Sequence, residues 1–361
     1  MHILWLAWRD FKNPKLGGAE TAAIETTSRF VKDGHQVTLF TSYFEGAKSF
    51  ETVKGVKIIR QGNQLTCRLY AWNFYRKNKN FNLVIDEINT IPFFTPFYCP
   101  KKSAPFIHQM AKEYWFKLTP WPINLIGYLI EPLMLLPYRN MPIMTVSNST
   151  KEDLEKIGFK KFSFIREGIL VTPHPPGQKK DIILFIGRLV EAKNPLDAIM
   201  AFQKIKKSFP QYKLVVIGKG EANYENKLKK FASQNHLRKN VEFTGFITEK
   251  AKERFLREAK IVLIPSIREG WNIVATEAHA QGCIPVGYKV AGLKDSVKDG
   301  VTGLLVEGGP NELSKAAVRI LNNEDLRKKM ALEGYRWGKN FSWTNFYEDI
   351  NKYIRTQKKL S

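Results

Sequence analysis

Cysteine is scarce: Cys67, Cys99 and Cys283 are the three in 361 residues. Their odd number, without Cys-x-x-Cys or Cys/His spacing, excludes a disulfide framework and a zinc site, and a reduced cytoplasmic setting fits best. Three phosphate and metal motifs are also missing. Without Gly-x-Gly-x-x-Gly, hydride transfer on a dinucleotide loses support, and without Gly-x-x-x-x-Gly-Lys-Ser/Thr so does P-loop chemistry. No Asp-x-Asp pair is present to hold a divalent cation on a diphosphate. The apolar run at residues 2–8 is too short for a signal peptide and lacks its basic start and small-residue site; it reads as a first buried strand. Acidic side chains are few as well, 34 against 57 Lys and Arg, for a net charge of +23. Residues 1–170 carry 23 basic and 14 acidic side chains and the remainder 34 and 20, so the excess is no basic tail. Such a field favours nucleotide diphosphates, anionic lipid surfaces or nucleic acid. The basic residues are dispersed and no nucleic-acid motif is present, so nucleic acid is not expected.

What is present describes two α/β domains. An apolar content of 43% with 12% aromatics is ample for two cores, and 361 residues suit two domains better than one. Strand-like runs at 3–8, 36–40, 56–59, 83–86, 106–108 and 143–146 alternate with helical ones at 18–33 and 150–157. A second series has strands at 182–186, 213–217, 241–243, 261–265, 285–287 and 303–306. Its helices fall at 194–209, 223–235, 250–258, 274–281 and 311–321. The alternation predicts doubly wound parallel sheets facing one another across a cleft, with ligands at the strand C-termini. The expected boundaries are 1–172 for the first domain, a Pro- and Lys-rich linker at 173–180, and 181–341 for the second.

The most informative stretch reads Arg268-Glu269-Gly270-Trp271-Asn272-Ile273-Val274-Ala275-Thr276-Glu277-Ala278, directly after an apolar strand. A glycine turn opening a helix presents unpaired N–H groups and a positive dipole end, suited to a phosphate or a polarised sugar oxygen. Two glutamates separated by seven residues in this setting resemble the donor-site signature of retaining nucleotide-sugar glycosyltransferases of family 4 (glycosyl transferases group 1), which have the GT-B fold. Other pieces fall in the family's order. Leu16-Gly17-Gly18 resembles its N-terminal glycine loop, and Gly187-Arg188-Leu189 with Lys193 its phosphate clamp. His108 ends a strand where the family places a histidine, and Val146-Ser147-Asn148-Ser149 lies near the domain junction.

The resemblance implies roles. Arg188 and Lys193 would neutralise the leaving diphosphate without a metal. Glu269 would accept from sugar hydroxyls and Glu277 from the ribose, while backbone N–H groups of Gly270, Trp271, Asn272 and Ile273 meet sugar and phosphates. Gly17, Gly18 and Gly187 would let the backbone approach the donor. His108 would contact the donor sugar, and Glu113 would touch the acceptor. Asn272 stands where the family often has a second glycine; asparagine tolerates left-handed backbone, so the turn is expected to survive. The final helix, 342–358, would pack back on the first domain.

The implied activity is hexosyl transfer from a UDP- or GDP-sugar to a hydroxyl, with retention and no cofactor. The departing phosphate would take the acceptor's proton. Alternatives are a nucleotide-sugar epimerase on the same fold or a non-catalytic nucleotide and anion binder. Segment 114–138 is rich in Trp, Leu and Ile, but its prolines and Glu131 argue against a spanning helix. A buried helix pair is the simpler reading of it. The other is an apolar lip that meets membrane or a lipid-linked acceptor, with Arg76, Lys77, Lys79, Lys101 and Lys102 supplying charge, in a protein peripheral to the membrane's inner face.

Overall fold

Runs of Ile, Val, Leu and Phe bounded by glycine or polar turns form strands buried on both faces, as parallel sheets require. The computed structural model describes residues 1–14 and 16–360, which fall into two units. Unit 1 comprises Met1–Trp115, Trp121–Gly168 and the chain from Trp343; unit 2 comprises Phe116–Pro120 and Ile169–Ser342.

Unit 1 runs β1 (His2–Leu6), α1 (Gly18–Lys32), β2 (Gln36–Thr41), β3 (Phe50–Val53), β4 (Val56–Arg60), α2 (Cys67–Lys77), β5 (Leu83–Ile88) and β6 (Ser103–Ile107). The short α3 (Trp115–Leu118) starts on the last residue of the Met1–Trp115 stretch and otherwise belongs to unit 2; in unit 1, α4 (Ile123–Leu135), β7 (Ile143–Thr145), α5 (Asn148–Glu155) and β8 (Phe162–Phe164) follow. Its sheet order is β3-β4-β2-β1-β5-β6-β7-β8, parallel but for the β3–β4 hairpin. That hairpin was not expected from sequence. Its turn residues Lys54 and Gly55 both have positive φ, 50° and 81°, the geometry that matches strand twist in a two-residue loop.

Unit 2 contains β9 (Ile182–Ile186), α6 (Pro195–Ser208), β10 (Lys213–Ile217), α7 (Ala222–Gln234), β11 (Val241–Gly245), α8 (Glu249–Glu258) and β12 (Ile261–Ile264). Then come α9 (Ile273–Ala280), β13 (Ile284–Tyr288), α10 (Leu293–Ser296), β14 (Leu304–Val306), α11 (Pro310–Leu321) and α12 (Glu324–Gly338). The sheet is all parallel, in the order β11-β10-β9-β12-β13-β14. The order reverses direction between β9 and β12, and in unit 1 between β1 and β5. Such switch points leave a crevice beyond the strand C-termini where two loops diverge.

The stretch read as a linker, 173–180, does not hang free. His174 N–H donates to the Ala280 carbonyl at 2.8 Å, and Lys179 Nζ donates to the Arg257 and Gln281 carbonyls at 2.8 and 2.7 Å. The lysine caps the C-terminal ends of α8 and α9, where a cation is favoured. Burial pushes its amine down to about 8.

The last helix, α13 (Trp343–Leu360), belongs to unit 1. Tyr347 Oη donates to Asp33 at 2.5 Å, Tyr353 Oη to the Pro142 carbonyl at 2.9 Å, and Arg166 forks onto Asp349 at 2.7 and 2.8 Å. Trp343 lies directly over Gly168, where any Cβ would run into its indole ring. Gly168→Ala is therefore expected to cost about 1–3 kcal/mol by overpacking and to lower the thermal midpoint. Gly177→Ala, with nothing within 4 Å of the added methyl, is the control that leaves it unchanged. Calorimetry on both variants checks this.

Candidate functional site

At the switch point of unit 2, the loop leaving β9 and the loop leaving β12 are tied together. Gly187 N–H donates to Ile217 at 3.0 Å and Leu189 N–H to Lys219 at 2.9 Å, so the β9 loop lies against the end of β10. Gly218 makes this possible, since a Cβ there would collide with the Gly187 carbonyl. One short turn later, Asn194 takes left-handed backbone at φ 53° and Pro195 begins α6. That turn aims Lys193 across at the second loop. Its Nζ lies 2.5 and 2.7 Å from the two carboxylate oxygens of Glu269. Ile267 N–H donates to the Ala192 carbonyl at 3.2 Å, a backbone tie beside the ion pair. Arg188 is exposed, and its guanidinium makes no ion pair among the described residues.

Glu269 is 7% exposed and takes a second donor, Asn272 Nδ2, at 2.9 Å. The same Asn272 accepts from Ala275 N–H at 2.8 Å, capping α9. Its φ is −108°, so the expected left-handed turn at this position is not formed. Asparagine serves here as a helix cap and a carboxylate clamp, roles that glycine cannot fill. The left-handed residue is Gly292, φ 74°, where a Cβ would collide with the Glu269 carbonyl. Trp271 turns away from the loop, its indole N–H donating to Thr276 at 2.8 Å and its ring packing on Phe341. Gly270 and Ile273 stand between these anchors, Ile273 being the first residue of α9.

Glu277 is 1% exposed and faces Lys252, whose Nζ lies 2.8 and 2.9 Å from its two oxygens. Burial raises the Glu277 carboxyl, and the ammonium of Lys252 pulls it back. Lys252 is itself shielded; burial works against its charge, and Glu277 and Glu249 restore it beyond the usual range.

In unit 1 the glycine loop is already occupied. Glu20 reaches back to accept from Gly17 N–H at 2.6 Å and holds Arg9 Nε at 2.8 Å. The Gly17 N–H at the start of α1 thus meets the chain's own carboxylate, while Gly18 is the first helical residue. His108 follows β6 and is buried, with Nε2 3.1 Å from Glu87 Oε1 and Nδ1 3.9 Å from Glu167 Oε1. Burial alone would depress this imidazole, but the Glu87 carboxylate, helped by Glu167 and Glu20, raises it. Glu113 is exposed on a 3-10 turn, Lys112–Tyr114.

Sequence reading singled out neither Glu20, Glu87, Glu167, Lys252 nor Gly292. Glu87 is the one with a usable signal. It stands in the run Val84-Ile85-Asp86-Glu87-Ile88, where two acids inside an apolar strand demand partners. Among the described residues, no group of three or more His, Cys, Asp or Glu is arranged to hold a metal ion.

Comparison with known proteins fits this geometry. The glycosyl transferases group 1 model matches residues 171–337. An uncharacterised glycosyltransferase of Methanocaldococcus jannaschii is 32% identical over 381 aligned positions, covering 93% of this chain and 95% of that one. The chain belongs to the group 1 glycosyltransferases. Other curated relatives match over less of their length. A second M. jannaschii glycosyltransferase is 31% identical over 47% of this chain and 46% of its own. The poly(glycerol-phosphate) alpha-glucosyltransferase of Bacillus subtilis is 28% identical over 55% and 31%. Among solved structures, a sucrose-phosphate synthase from Thermosynechococcus elongatus superposes with a TM-score of 0.83 over all of both chains at 18% identity. Anabaena HepE, crystallised with UDP and glucose, gives 0.77 over 99% and 100% at 16% identity. The fold of this group 1 chain is GT-B, with two parallel-sheet domains.

The buried Lys252–Glu277 pair yields a direct test. Lys252→Met leaves the buried Glu277 with the Leu170 N–H but no cation, and should destabilise the protein by about 3–5 kcal/mol at pH 7. Adding Glu277→Gln to that variant should recover much of the loss. Urea unfolding of the two variants checks both.

Proposed function

We propose that this protein transfers a hexosyl group, with retention of configuration, from a UDP- or GDP-sugar to an acceptor hydroxyl, without a metal or other cofactor. The observation that carries the reading is the Lys193–Glu269 pair at the unit 2 switch point, with exposed Arg188 on the same loop as the lysine. A diphosphate entering that crevice competes with Glu269 for Lys193. As the ammonium turns to phosphate, Glu269 is released to accept from a sugar hydroxyl, so that one exchange readies both ends of the donor. Arg188 and Lys193 then stabilise the charge that builds on the diphosphate as its bond to the sugar breaks, an electrostatic effect that needs no resident cation. The departing phosphate oxygen takes the acceptor's proton on the same face. Glu277, held by Lys252 beneath α9, receives the ribose, and His108 shapes the sugar end. Glu113 is assigned to the acceptor side. UDP and UDP-glucose in the HepE crystals, and the sugar-transferring names of the relatives, support this donor class.

Titration calorimetry with UDP, GDP and ADP should give binding of one nucleotide, weakened about tenfold or more in Arg188→Ala. Transfer assays should show Lys193→Ala lowering kcat by about 10²–10³. No nucleotide binding by folded protein would overturn the reading.

The acceptor belongs to a glycolipid, lipid-linked glycan or polysaccharide precursor at an anionic membrane surface. The buried-pair expectation for residues 114–138 fails in the structure. Helix α4 buries only Gly127, Glu131 and Leu135, one narrow stripe at fourfold spacing. Gly127 lets Trp115 lie against the helix, and Glu131 accepts from Ala111 and Lys112 N–H and from the Trp115 indole. The rest faces outward: Leu129 is 60% exposed and Leu133 61%, with Ile126 and Ile130 beside them. At 13 residues, about 20 Å, α4 is too short to span a bilayer, and no helix among the described residues is long and apolar enough to do so. An interfacial docking helix has this form. Flotation with vesicles of anionic lipid should recover the wild type, and Leu129→Ser/Leu133→Ser should abolish recovery while leaving nucleotide binding intact. Equal flotation of both proteins would dismiss the membrane role.

A further inference from the structure

Glu167 lies between β8 and the point where the chain leaves unit 1. It is 5% exposed, and its Oε1 is 3.9 Å from His108 Nδ1. Its Oε2 is fully buried and, among the described residues, meets no side-chain donor; the one donor at this carboxylate besides His108 is the backbone N–H of Gly168. Burying a carboxylate oxygen without a side-chain partner is unfavourable, and a ligand group that donates to it relieves the cost. On the other side of the ring, Glu87 Oε1 meets Nε2 at 3.1 Å while Glu87 Oε2 accepts the Trp5 indole N–H at 2.5 Å. The histidine is fixed further by Thr150 Oγ1 donating to its carbonyl at 3.0 Å and by the Phe106 ring, 4.2 Å centroid to centroid.

The electrostatics of this centre follow from the groups that face it. Glu87 comes from β5, Glu167 from the stretch after β8, and Glu20 from α1, the last already paired with Arg9. With Arg9 and Glu20 cancelling, two carboxylates and one imidazole remain. A neutral ring donating through Nε2 to Glu87 would turn a bare lone pair at Nδ1 toward Glu167. A proton between Nδ1 and Glu167 removes that repulsion. Burial pushes the Glu167 carboxyl up to about 7, against the opposing pull of His108, so this centre retains protons that its isolated groups would have lost.

We propose that Glu167 is a positioning residue of the transfer site: Glu87 hydrogen-bonds the His108 ring at Nε2, Glu167 faces Nδ1 as the second carboxylate that holds it as an imidazolium, and Glu167 Oε2, which no other side chain reaches, accepts from one hydroxyl of the bound sugar. The hydroxyl part rests on the transferase reading, and the imidazolium part does not. The proposal changes what His108 does. With both nitrogens turned to carboxylates, the imidazole acts as a fixed positive centre, and the sugar-facing hydrogen bond falls to Glu167.

Ring-labelled histidine NMR on the full chain, with His108 assigned by His108→Gln, tests the grip between pH 5 and 9. In the wild type, the imidazolium signature should persist above the ordinary midpoint of about 6.5. Glu167→Gln removes one carboxylate and should lower that midpoint by about one unit; Glu87→Gln should lower it too. Should Glu167→Gln fail to fold, Glu167→Asp, which withdraws the carboxylate by one methylene, replaces it with the same expected direction. A neutral ring at pH 7 in the wild type, or superposable curves for wild type and the Glu167 variant, overturns the proposal. For the hydroxyl, UDP and UDP-glucose serve as probes in calorimetry. Glu167→Ala should leave UDP affinity within about twofold and reduce that for UDP-glucose about tenfold. Equal UDP-glucose affinity in Glu167→Ala and wild type removes the hydroxyl role. Where GDP is the nucleotide bound, GDP and GDP-glucose replace these probes; absence of binding of either nucleotide sugar by the wild type removes the hydroxyl role together with the donor reading, while the titration still decides the imidazolium.

Discussion

The ion pair between Lys193 and Glu269 is the constraint around which unit 2 is arranged. It joins the two loops that leave β9 and β12, the strands between which the order of the sheet reverses. Loops that diverge at a switch point need something to hold them in register, and here a charged contact does so with backbone help from Ala192 and Ile267. The surrounding residues serve that contact. Asn194 bends the first loop, Gly292 admits the Glu269 backbone, and Asn272 caps α9 while holding Glu269 from the other side. An ion pair only partly shielded from water is also an exchangeable one. A tighter anion can reach the lysine, and Glu269, although buried, keeps the Asn272 amide as a donor; the lysine of the Lys252–Glu277 pair is more shielded.

Charge compensation extends the same logic through both units. The start of α1 meets Glu20, Glu20 meets Arg9, and Glu277 meets Lys252. Against a net charge of +23, each potential anion site in these loops is either lined by an exposed cation, as at Arg188, or balanced by an internal carboxylate. The internal carboxylates offset the positive charge of the loops that carry them. They also set a threshold, since a weakly held anion does not displace a carboxylate fixed at 2.5–2.7 Å in its favoured geometry.

The sheets were legible because parallel strands read as continuous apolar runs. Ile182–Ile186 and Lys213–Ile217 are found where the hydrophobic pattern puts them, and most others within two residues. The elements missed have weak or mixed patterns. Strand β3 is a short, partly exposed edge whose pairing depends on a positive-φ turn, and α2 carries Leu69, Tyr70 and Trp72 on its open side, so its apolar residues mark no single face. Helix α4 misleads for the opposite reason. Its composition is that of a core helix, yet all but a stripe of it faces outward, and composition cannot tell a buried face from one awaiting a partner.

Loop residues were legible where a motif spells them out and illegible where their meaning depends on distant chain. Glu269 and Lys193 stand 76 positions apart, and family order alone pairs them. Glu87 and Glu167 are 80 apart and belong to no such order, so only the fold shows that they flank one histidine. Asn272 marks the limit of reading by analogy. Here the position expected to tolerate a glycine-like turn has extended backbone, and the asparagine side chain caps α9 and holds Glu269. In this chain the charge that converges on the two loops is delivered by the Asn272 cap on one side and by the Asn194 turn on the other, with Gly292 giving the Glu269 backbone room.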